Sequence, residues 1–267
     1  MCLLVMAFGL DPEAPLVVAA NRDEWLDRPA TSMTVLRESH PRILGGRDER
    51  AGGTWLAVNQ YGLVAGLTNR PLPDGVDPTK RTRGELPLAL ASHRTAAEAV
   101  EDFVRRFSPS DYNPAWFLVG DRTSLYCIDL SNGPRPLALE LGPGVHVLEN
   151  IAFGEPSKKV DQVRQLLGPP DLLRGPDLLS KLSVVLADHS VPSDLGRSTE
   201  LAASGSESPK GRRPETLAAC VHTDDYGTRS STLIRVPADT DAFPEVQYAD
   251  GHPCTAPFID AGPLWMT

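Results

Sequence analysis

The sequence predicts an α+β protein built from antiparallel strands and a few helices. Short apolar runs of strand length fill the first third of the chain and return near its end, whereas helical periodicity is confined to the stretches between them. Because strands and helices occur in blocks, layers of an α+β domain are favoured over a regular parallel βαβ sheet. We expect a single domain over residues 1–267, without internal repeats.

The strand predictions start at the N-terminus. Two apolar runs, Cys2–Phe8 and Leu16–Ala20, are joined by the turn-forming sequence Gly-Leu-Asp-Pro, as in a hairpin. A second pair, Trp55–Asn59 and Leu63–Thr68, is joined across Gln60-Tyr61-Gly62. The remaining predicted strands are Trp116–Val119, Leu125–Leu130, Val145–Leu148, Thr216–His222, Ser231–Val236 and Glu245–Tyr248.

Helices are predicted in two regions. Residues 84–107 carry apolar side chains at helical spacing, and the capping box Thr95-Ala-Ala-Glu98 divides this stretch into two helices. Ser157–Leu167 begins with a good N-cap residue, and Pro176–Ala187 has proline in its first turn. Residues 190–215 are rich in Ser, Gly, Pro and charge, which predicts a mobile loop; a lid over a site is the alternative to a surface insertion.

Charge and hydropathy exclude several classes of partner. The chain has 26 Lys and Arg against 35 Asp and Glu, a formal charge of −9. This balance argues against nucleic acid and anionic membranes, which need a basic face. The longest apolar runs, such as Leu16–Ala20 and Leu182–Ala187, are too short to form a transmembrane segment. Met1–Leu10 lacks a basic region before its apolar residues, so we expect no export signal and a cytoplasmic protein.

Cysteine and histidine spacing gives no recognisable metal pattern. The four cysteines form no C-x-x-C pair, and the six histidines form no H-x-H or H-x-x-x-H pair. We therefore expect no structural zinc site, no disulfide framework and no cofactor.

Cys2 is the first candidate for chemistry. N-terminal processing usually removes Met1 when the second residue is small, which would leave a cysteine carrying both a thiol and a free α-amine. Their reference pKa values, ~8.5 and ~7.7–8.0, lie close enough to neutrality for the amine to act as the base that activates the thiol. The alternative is a small buried residue in the first strand.

Charged residues follow the second predicted strand, in Asn21-Arg22-Asp23-Glu24. Asp23 could hold the terminal ammonium while Arg22 lowers the pKa of the thiol. A solvated salt bridge or a turn is the alternative. The pairs Gly45-Gly46 and Gly52-Gly53 could let the backbone approach a ligand closely, or they could simply form turns. They do not indicate a phosphate-binding loop, because no Gly-Lys-Ser/Thr follows them.

Three further polar residues lie next to predicted strands. Asn69 and Asn150 each follow an apolar run, where a carboxamide can donate to a developing oxyanion or simply form a turn. Arg229 precedes the strand at 231–236 and could recognise an anion or be a surface charge.

Together these pieces resemble the NRDE family, also called the transport and Golgi organisation protein 2-like family. The matching motifs run in family order over nearly the whole chain, and several are long. They are Met-Cys-Leu-Leu at 1–4, Val-Val-Ala-Ala-Asn-Arg-Asp-Glu-Trp at 17–25, Ile-Leu-Gly-Gly-Arg-Asp at 43–48, Gly-Gly-Thr-Trp-Leu-Ala-Val-Asn at 52–59, Leu-Thr-Asn-Arg at 67–70, Arg-Gly-Glu-Leu at 83–86 and Tyr-Gly-Thr-Arg-Ser-Ser-Thr at 226–232.

The resemblance implies the four-layer αββα sandwich of N-terminal nucleophile (Ntn) hydrolases, with two antiparallel sheets between helical layers. It also implies distant kinship with choloylglycine hydrolases, amidases with an N-terminal cysteine. The positions that match their catalytic residues are Cys2, Arg22, Asp23, Asn69, Asn150 and Arg229. In those relatives the Arg and Asp are separated, whereas here they are adjacent, and Val147-Leu148-Glu149-Asn150 replaces the commoner Gly-Leu-Ser-Asn.

Three functions follow as hypotheses. The first is hydrolysis of a non-peptide amide (C–N) bond of a small molecule, or of a related acyl substrate, through a thioester on Cys2. The second is a non-catalytic carrier of haem or lipid on the same scaffold, in keeping with the family's link to membrane traffic; His146, His222 and Cys254 could ligate haem by residue type. The third is a pure interaction module.

Overall fold

The computed structural model describes residues 2–72, 75–131, 133–169, 173, 175, 177–192 and 214–266. Most of the predicted loop at 190–215 lies outside the described residues. Within them, no helix combines the length and the apolar character that a membrane crossing requires.

Two antiparallel sheets form the centre of the molecule. The six-stranded sheet has the spatial order β10 (Gly144–Leu148), β1 (Cys2–Phe8), β2 (Leu16–Trp25), β11 (Tyr226–Val236), β12 (Glu245–Asp250) and β13 (Ile259–Asp260). The seven-stranded sheet follows chain order: β3 (Ala30–Arg37), β4 (Ile43–Asp48), β5 (Leu56–Asn59), β6 (Val64–Asn69), β7 (Ala115–Gly120), β8 (Leu125–Asp129) and β9 (Leu137–Leu141).

Helices cover the outer face of each sheet, which gives four layers. The longer helix pair is α3 (Lys158–Leu167) and α4 (Asp177–Leu186), packed on the six-stranded sheet; α1 (Glu85–Leu90) and α2 (Ala96–Arg106) pack on the other. Each interface is apolar. Leu4, Met6 and Val18 lie between the sheets, while Leu3, Val5 and Val17 face α3 and α4. The predicted α+β, αββα fold is confirmed.

The helix boundaries follow from capping chemistry that the sequence displays. The Thr95 side chain accepts a hydrogen bond from the backbone N–H of Glu98, and the Ser157 side chain accepts one from Val160. Both helices therefore begin directly after the predicted N-cap residues. The predicted break in 84–107 is confirmed.

The second strand differs from its prediction in a way that matters for the site. The apolar run ends at Ala20, but β2 continues to Trp25 because residues 21–25 pair with β11. Asn21-Arg22-Asp23-Glu24 is therefore strand and not turn. Side chains alternate along a strand, so Arg22 lies on the face of Ala20 between the sheets, and Asp23 lies on the face of Ala19 toward the helices.

Other strand predictions are wrong for identifiable reasons. Residues 216–222 are predicted as a strand, but Pro214–Leu217 is a 3-10 turn. Side chains of neighbouring β strands replace a strand partner here: Asn21 donates to the carbonyl of Ala219, and Thr228 accepts from the N–H of Val221. Strands β3, β4 and β9 escape prediction because their residues are polar, glycine-rich or at an exposed sheet edge.

Gly46 allows Trp55 to pack flat against β4. A Cβ atom at this glycine would lie 2.0 Å from Cζ2 of the Trp55 ring. No side chain fits at that distance, so the glycine is required for close packing and not for a turn. The Trp55 ring in turn lies 4.3 Å from the guanidinium carbon of Arg22. The Gly-Gly motif therefore shapes the surroundings of Arg22.

We predict that Gly46→Ala lowers the free energy of unfolding by about 1–3 kcal/mol, because the added methyl group displaces Trp55. Gly142→Ala is the matched control: a Cβ there meets no atom within 4 Å, and its backbone is not left-handed. Urea denaturation of both variants measures the effect. Equal, near-zero changes in the two variants would contradict the packing assigned to Trp55.

Candidate active site

A cavity of about 680 Å³ opens where the N-terminal strand begins. Its lining combines the start of β1, the end of β2, the end of β6 and the chain segment that leads to α1. Five of the six predicted site residues line it: Cys2, Arg22, Asp23, Asn69 and Asn150. The structure thus brings together residues from four separate motifs.

The position of Cys2 is fixed by its two neighbouring strands. It lies directly opposite Arg22 in the pairing of β1 with β2. On the other side, its backbone N–H donates to Oδ1 of Asn150, at 3.0 Å. The same Asn150 side chain donates through Nδ2 to the carbonyl of Asn69. One asparagine therefore holds the nitrogen of Cys2 and the end of β6 together.

Burial raises the pKa of the Cys2 thiol, and the negative charge of Asp23 raises it further. The positive charge at the chain N-terminus, the charge of Arg22 and a hydrogen bond from the backbone N–H of Asp23 lower the pKa, but the net direction is upward. The thiol is consequently protonated at neutral pH in this environment. It needs a nearby base to become a nucleophile.

Arg22 is the cation next to Cys2. Its side chain is only 4% exposed, and Nη2 lies 3.4 Å from Oδ2 of Asp48 and 3.6 Å from Oε2 of Glu24. The guanidinium stacks on Trp55, and its Nη1 has no hydrogen-bond partner among the described residues. A buried donor without a partner is costly. This group is therefore poised to donate to an additional acceptor at the site.

Asp48 forms ion pairs with both Arg22 and Arg28. Its Oδ2 accepts from Nε of Arg28 at 2.8 Å, and its Oδ1 accepts from the backbone N–H groups of Arg50 and Ala51. Burial would raise the pKa of Asp48, but the bond from Ala51 and the charges of Arg28 and Arg22 outweigh it, so the pKa is lowered. Asp48 is therefore ionised at neutral pH and fixes the orientation of Arg22.

Asp23 makes contacts on the helical side of β2. Its Oδ1 accepts from the hydroxyl of Thr228 at 2.6 Å, and its Oδ2 lies 3.3 Å from Nζ of Lys159. The side chains of Lys159 and Asp23 are 1% and 0% exposed. The main-chain carbonyl of Asp23 also accepts from the Tyr226 hydroxyl. This fully buried ion pair ties α3 to the strand that carries Arg22.

Arg229 is not brought to the cavity. It lies at a bulge in β11, between Thr228 and Ser230, and its Nη1 donates to the carbonyl of Leu26. It is absent from the cavity lining. The bulge explains the difference, because an extra residue in one strand re-aims the side chain at that position. The expected direct role of Arg229 in anion recognition has no support in this geometry.

Other residues of the site were not singled out from the sequence. Asp48 and Trp55 lie inside family motifs, so they could have been named as parts of the site. The burial of Lys159 could have been predicted from its spacing, because it lies four residues before Val163 and therefore on the buried face of α3. Tyr226 and Thr228 also lie inside a family motif, at 226–232, but only the strand pairing shows that they contact Asp23. The haem-ligand candidates His146, His222 and Cys254 do not line the cavity.

Two antiparallel sheets between helical layers, with a cysteine at the start of the first strand, are the arrangement of the Ntn-hydrolase fold. The chain belongs to the Transport and Golgi organisation 2 family, whose model matches residues 1–248. It is 29% identical over 257 residues to the Transport and Golgi organization protein 2 homolog of Bos taurus, and 27% identical over 263 residues to that of Homo sapiens. In both comparisons 90% of each chain is covered.

Solved structures of two enzymes share the fold. A Caenorhabditis elegans orthologue of N-acylethanolamine-hydrolyzing acid amidase superposes with a TM-score of 0.52 and 15% identity, covering 90% of this chain and 94% of that one. Penicillin V acylase from Agrobacterium tumefaciens gives a TM-score of 0.50 and 14% identity, covering 97% and 86%. At these identities the likeness establishes the fold alone.

We predict that Lys159→Met lowers the free energy of unfolding by about 3–5 kcal/mol, because it removes the cation that faces a fully buried carboxylate. Adding Asp23→Asn should recover part of this loss, so that the double variant loses less free energy of unfolding than the two single variants lose together. Chemical denaturation measures all three. Lys158→Met, one residue earlier in the same helix and partly exposed, is the control; a loss no larger than that of this control would refute the buried pair.

Proposed function

We propose that this protein is an Ntn-type amidohydrolase that cleaves a non-peptide amide (C–N) bond, with Cys2 as the nucleophile after removal of Met1. One observation carries the proposal. The nitrogen of Cys2 is held by Asn150 at 3.0 Å, at the edge of a cavity, directly opposite a buried arginine. Once Met1 is removed, that nitrogen is an α-amine attached to the carbon that bears the thiol.

The proposed reaction has two stages. The amine takes the proton of the Cys2 thiol, and the sulfur attacks the carbonyl carbon of the amide. The C–N bond then breaks, the leaving nitrogen takes the proton from the ammonium, and a thioester remains on sulfur. Water next attacks the thioester carbon, with the amine accepting its proton and returning it to the departing sulfur. The products are a carboxylic acid and an amine.

The polar residues around Cys2 divide these tasks. Asn150 orients the α-amine, because its Oδ1 accepts from that nitrogen and its Nδ2 is engaged by the carbonyl of Asn69. This differs from the expectation that Asn150 donates to the oxyanion. The side-chain amide of Asn69, which lines the cavity, is then the donor for the oxyanion. Arg22 stabilises the thiolate, while Asp23 holds the end of β2 in place.

The cavity walls favour a small-molecule amide with an apolar part. Trp25, Trp55 and Leu67 supply apolar surface. The charges of the lining nearly cancel, because its basic side chains face almost as many acidic ones; the basic residues are Arg22, Arg28, Arg70, Lys80, Arg81 and Arg83, and the acidic residues are Asp23, Glu24, Asp48, Asp77 and Asp225. We infer an acylated substrate whose apolar part packs against the two tryptophans and Leu67.

The test uses the purified full-length chain. Intact mass is measured before and after brief alkylation at neutral pH, and peptide mapping locates the label. The chain is then incubated with a panel of N-acyl amides, with and without a carboxylate, and the Cys2 peptide is searched for an added acyl group. We expect Met1 to be absent, Cys2 to alkylate fastest, and an acyl adduct to form and disappear with turnover.

Cys127→Ala serves as the control, because burial raises the pKa of the Cys127 thiol to about 12 and the residue is remote from the cavity lining. It should retain alkylation and acylation of Cys2, whereas Cys2→Ala and Cys2→Ser should lose the adduct and the turnover. Retention of Met1, or turnover that is unchanged in Cys2→Ala, would overturn the proposal.

A further inference from the structure

A second cluster of reactive side chains lies outside the cavity. It consists of His189, Cys220, His222 and Cys254, and one potential ligand atom from each lies within 4.8 Å of the other three. None of these residues lines the cavity around Cys2. Cys220 is buried, while both histidines are accessible to solvent, so an ion could reach the cluster from outside.

The four residues come from three parts of the chain that the fold brings together. His189 follows α4, Cys220 and His222 follow the 3-10 turn at Pro214–Leu217, and Cys254 follows β12. Asn21 of β2 joins the first two parts, because its Nδ2 donates to the carbonyls of both Leu186 and Ala219. The expectation of no structural zinc site rests on spacing along the chain, where only Cys220 and His222 are close together.

Local hydrogen bonds already orient the side chains. Nδ1 of His189 lies 3.3 Å from the carbonyl oxygen of Cys220, which leaves its Nε2 available. Metal-ligating histidines commonly use their second ring nitrogen in this way. Nε2 of His222 lies 3.3 Å from Sγ of Cys254, and the His222 ring stacks on that of His252 with centroids 3.7 Å apart. The rings are thus held near one another before any ion binds.

We propose that His189, Cys220, His222 and Cys254 form a tetrahedral site for a zinc ion. Two cysteine thiolates and two neutral imidazoles are a common ligand set for structural zinc, and they balance the charge of a divalent cation. Bond lengths of ~2.0–2.3 Å place tetrahedral ligand atoms roughly 3.4–3.8 Å apart. The atoms of this cluster need to approach by only about 1 Å to reach that spacing.

Four protein ligands leave no open position, so the ion is structural and not catalytic. It would tie the end of α4 and the loop after β12 to residues 220–222. Thr223 follows that segment directly, and Thr216 lies one turn before it; both threonines line the cavity. It also contacts Thr228, the hydroxyl donor to Asp23. The site therefore supports one wall of the cavity, and it stands or falls independently of the proposed reaction.

The test measures metal directly. The full-length chain, purified under reducing conditions and stripped with a chelator, is titrated with zinc chloride and separately with cobalt(II) chloride. We expect about one zinc per chain by elemental analysis, and a cobalt spectrum with sulfur-to-metal charge transfer and intense tetrahedral ligand-field bands. Cys220→Ser/Cys254→Ser should lose these bands and retain less than about a tenth of the zinc.

His146→Asn and Cys127→Ala are the matched controls, since neither residue belongs to the cluster, and both should bind zinc as the wild type does. The wild-type titration decides the question even if the double variant does not fold. Absence of zinc in the reduced wild-type chain, a cobalt spectrum without charge transfer from sulfur, or a Cys220–Cys254 disulfide that persists under reducing conditions would each overturn the proposal.

Discussion

The register of β1 between β2 and β10 is the constraint on which the candidate site depends. It sets Cys2 opposite Arg22 and brings its nitrogen to Asn150, which lies just beyond the end of β10. A shift by one residue would turn every side chain of β1 to the other face, so Cys2 would face the helices and Leu3 would enter the space between the sheets. The apolar residues on both faces of β1 make that shift costly, and core packing thereby fixes the position of Cys2.

The second strand, β2, carries a buried ion pair on each of its two faces. Between the sheets, Arg22 is held by Asp48 and Trp55; on the helical side, Asp23 is held by Thr228 and Lys159. Adjacent residues of one strand thus connect the cavity with both of its supporting layers. This explains why Arg22 and Asp23 can be neighbours in the chain and still take different parts in one site. A buried charge that loses its partner strongly destabilises the fold, so these pairs are also structural.

Much of the fold could be predicted from the sequence because it depends on local signals. The caps at Thr95 and Ser157 define two helices, and the apolar runs of β1 and β7 define central strands. The end of β2 could not be predicted, because its polar residues continue as strand only through pairing with β11. The cluster of His189, Cys220, His222 and Cys254 was hidden for the same reason: its members meet only in the folded chain.

For the candidate site as well, one part could be predicted from the sequence and another part could not. Cys2, Arg22, Asp23, Asn69 and Asn150 are recognisable from motifs, and the structure places all five at one cavity. Their individual tasks are not recognisable, because the choice of partner for Asn150 or Arg229 depends on hydrogen bonds to distant backbone carbonyls. The proposed roles rest on contacts that motif spacing does not contain: Asn150 accepts from the nitrogen of Cys2, and Asn69 lines the cavity beside it.

In the proposed reaction, the freed amine of Cys2 activates its own thiol. The most direct test is the pH dependence of Cys2 alkylation in the processed chain, compared with a chain that keeps Met1 because a bulky residue is inserted before Cys2. In the processed chain we expect the alkylation rate to be half-maximal near the amine pKa of ~7.7–8.0. In the chain that keeps Met1 we expect the profile to lie at higher pH, because burial raises the pKa of the thiol. Identical profiles in the two chains would contradict it.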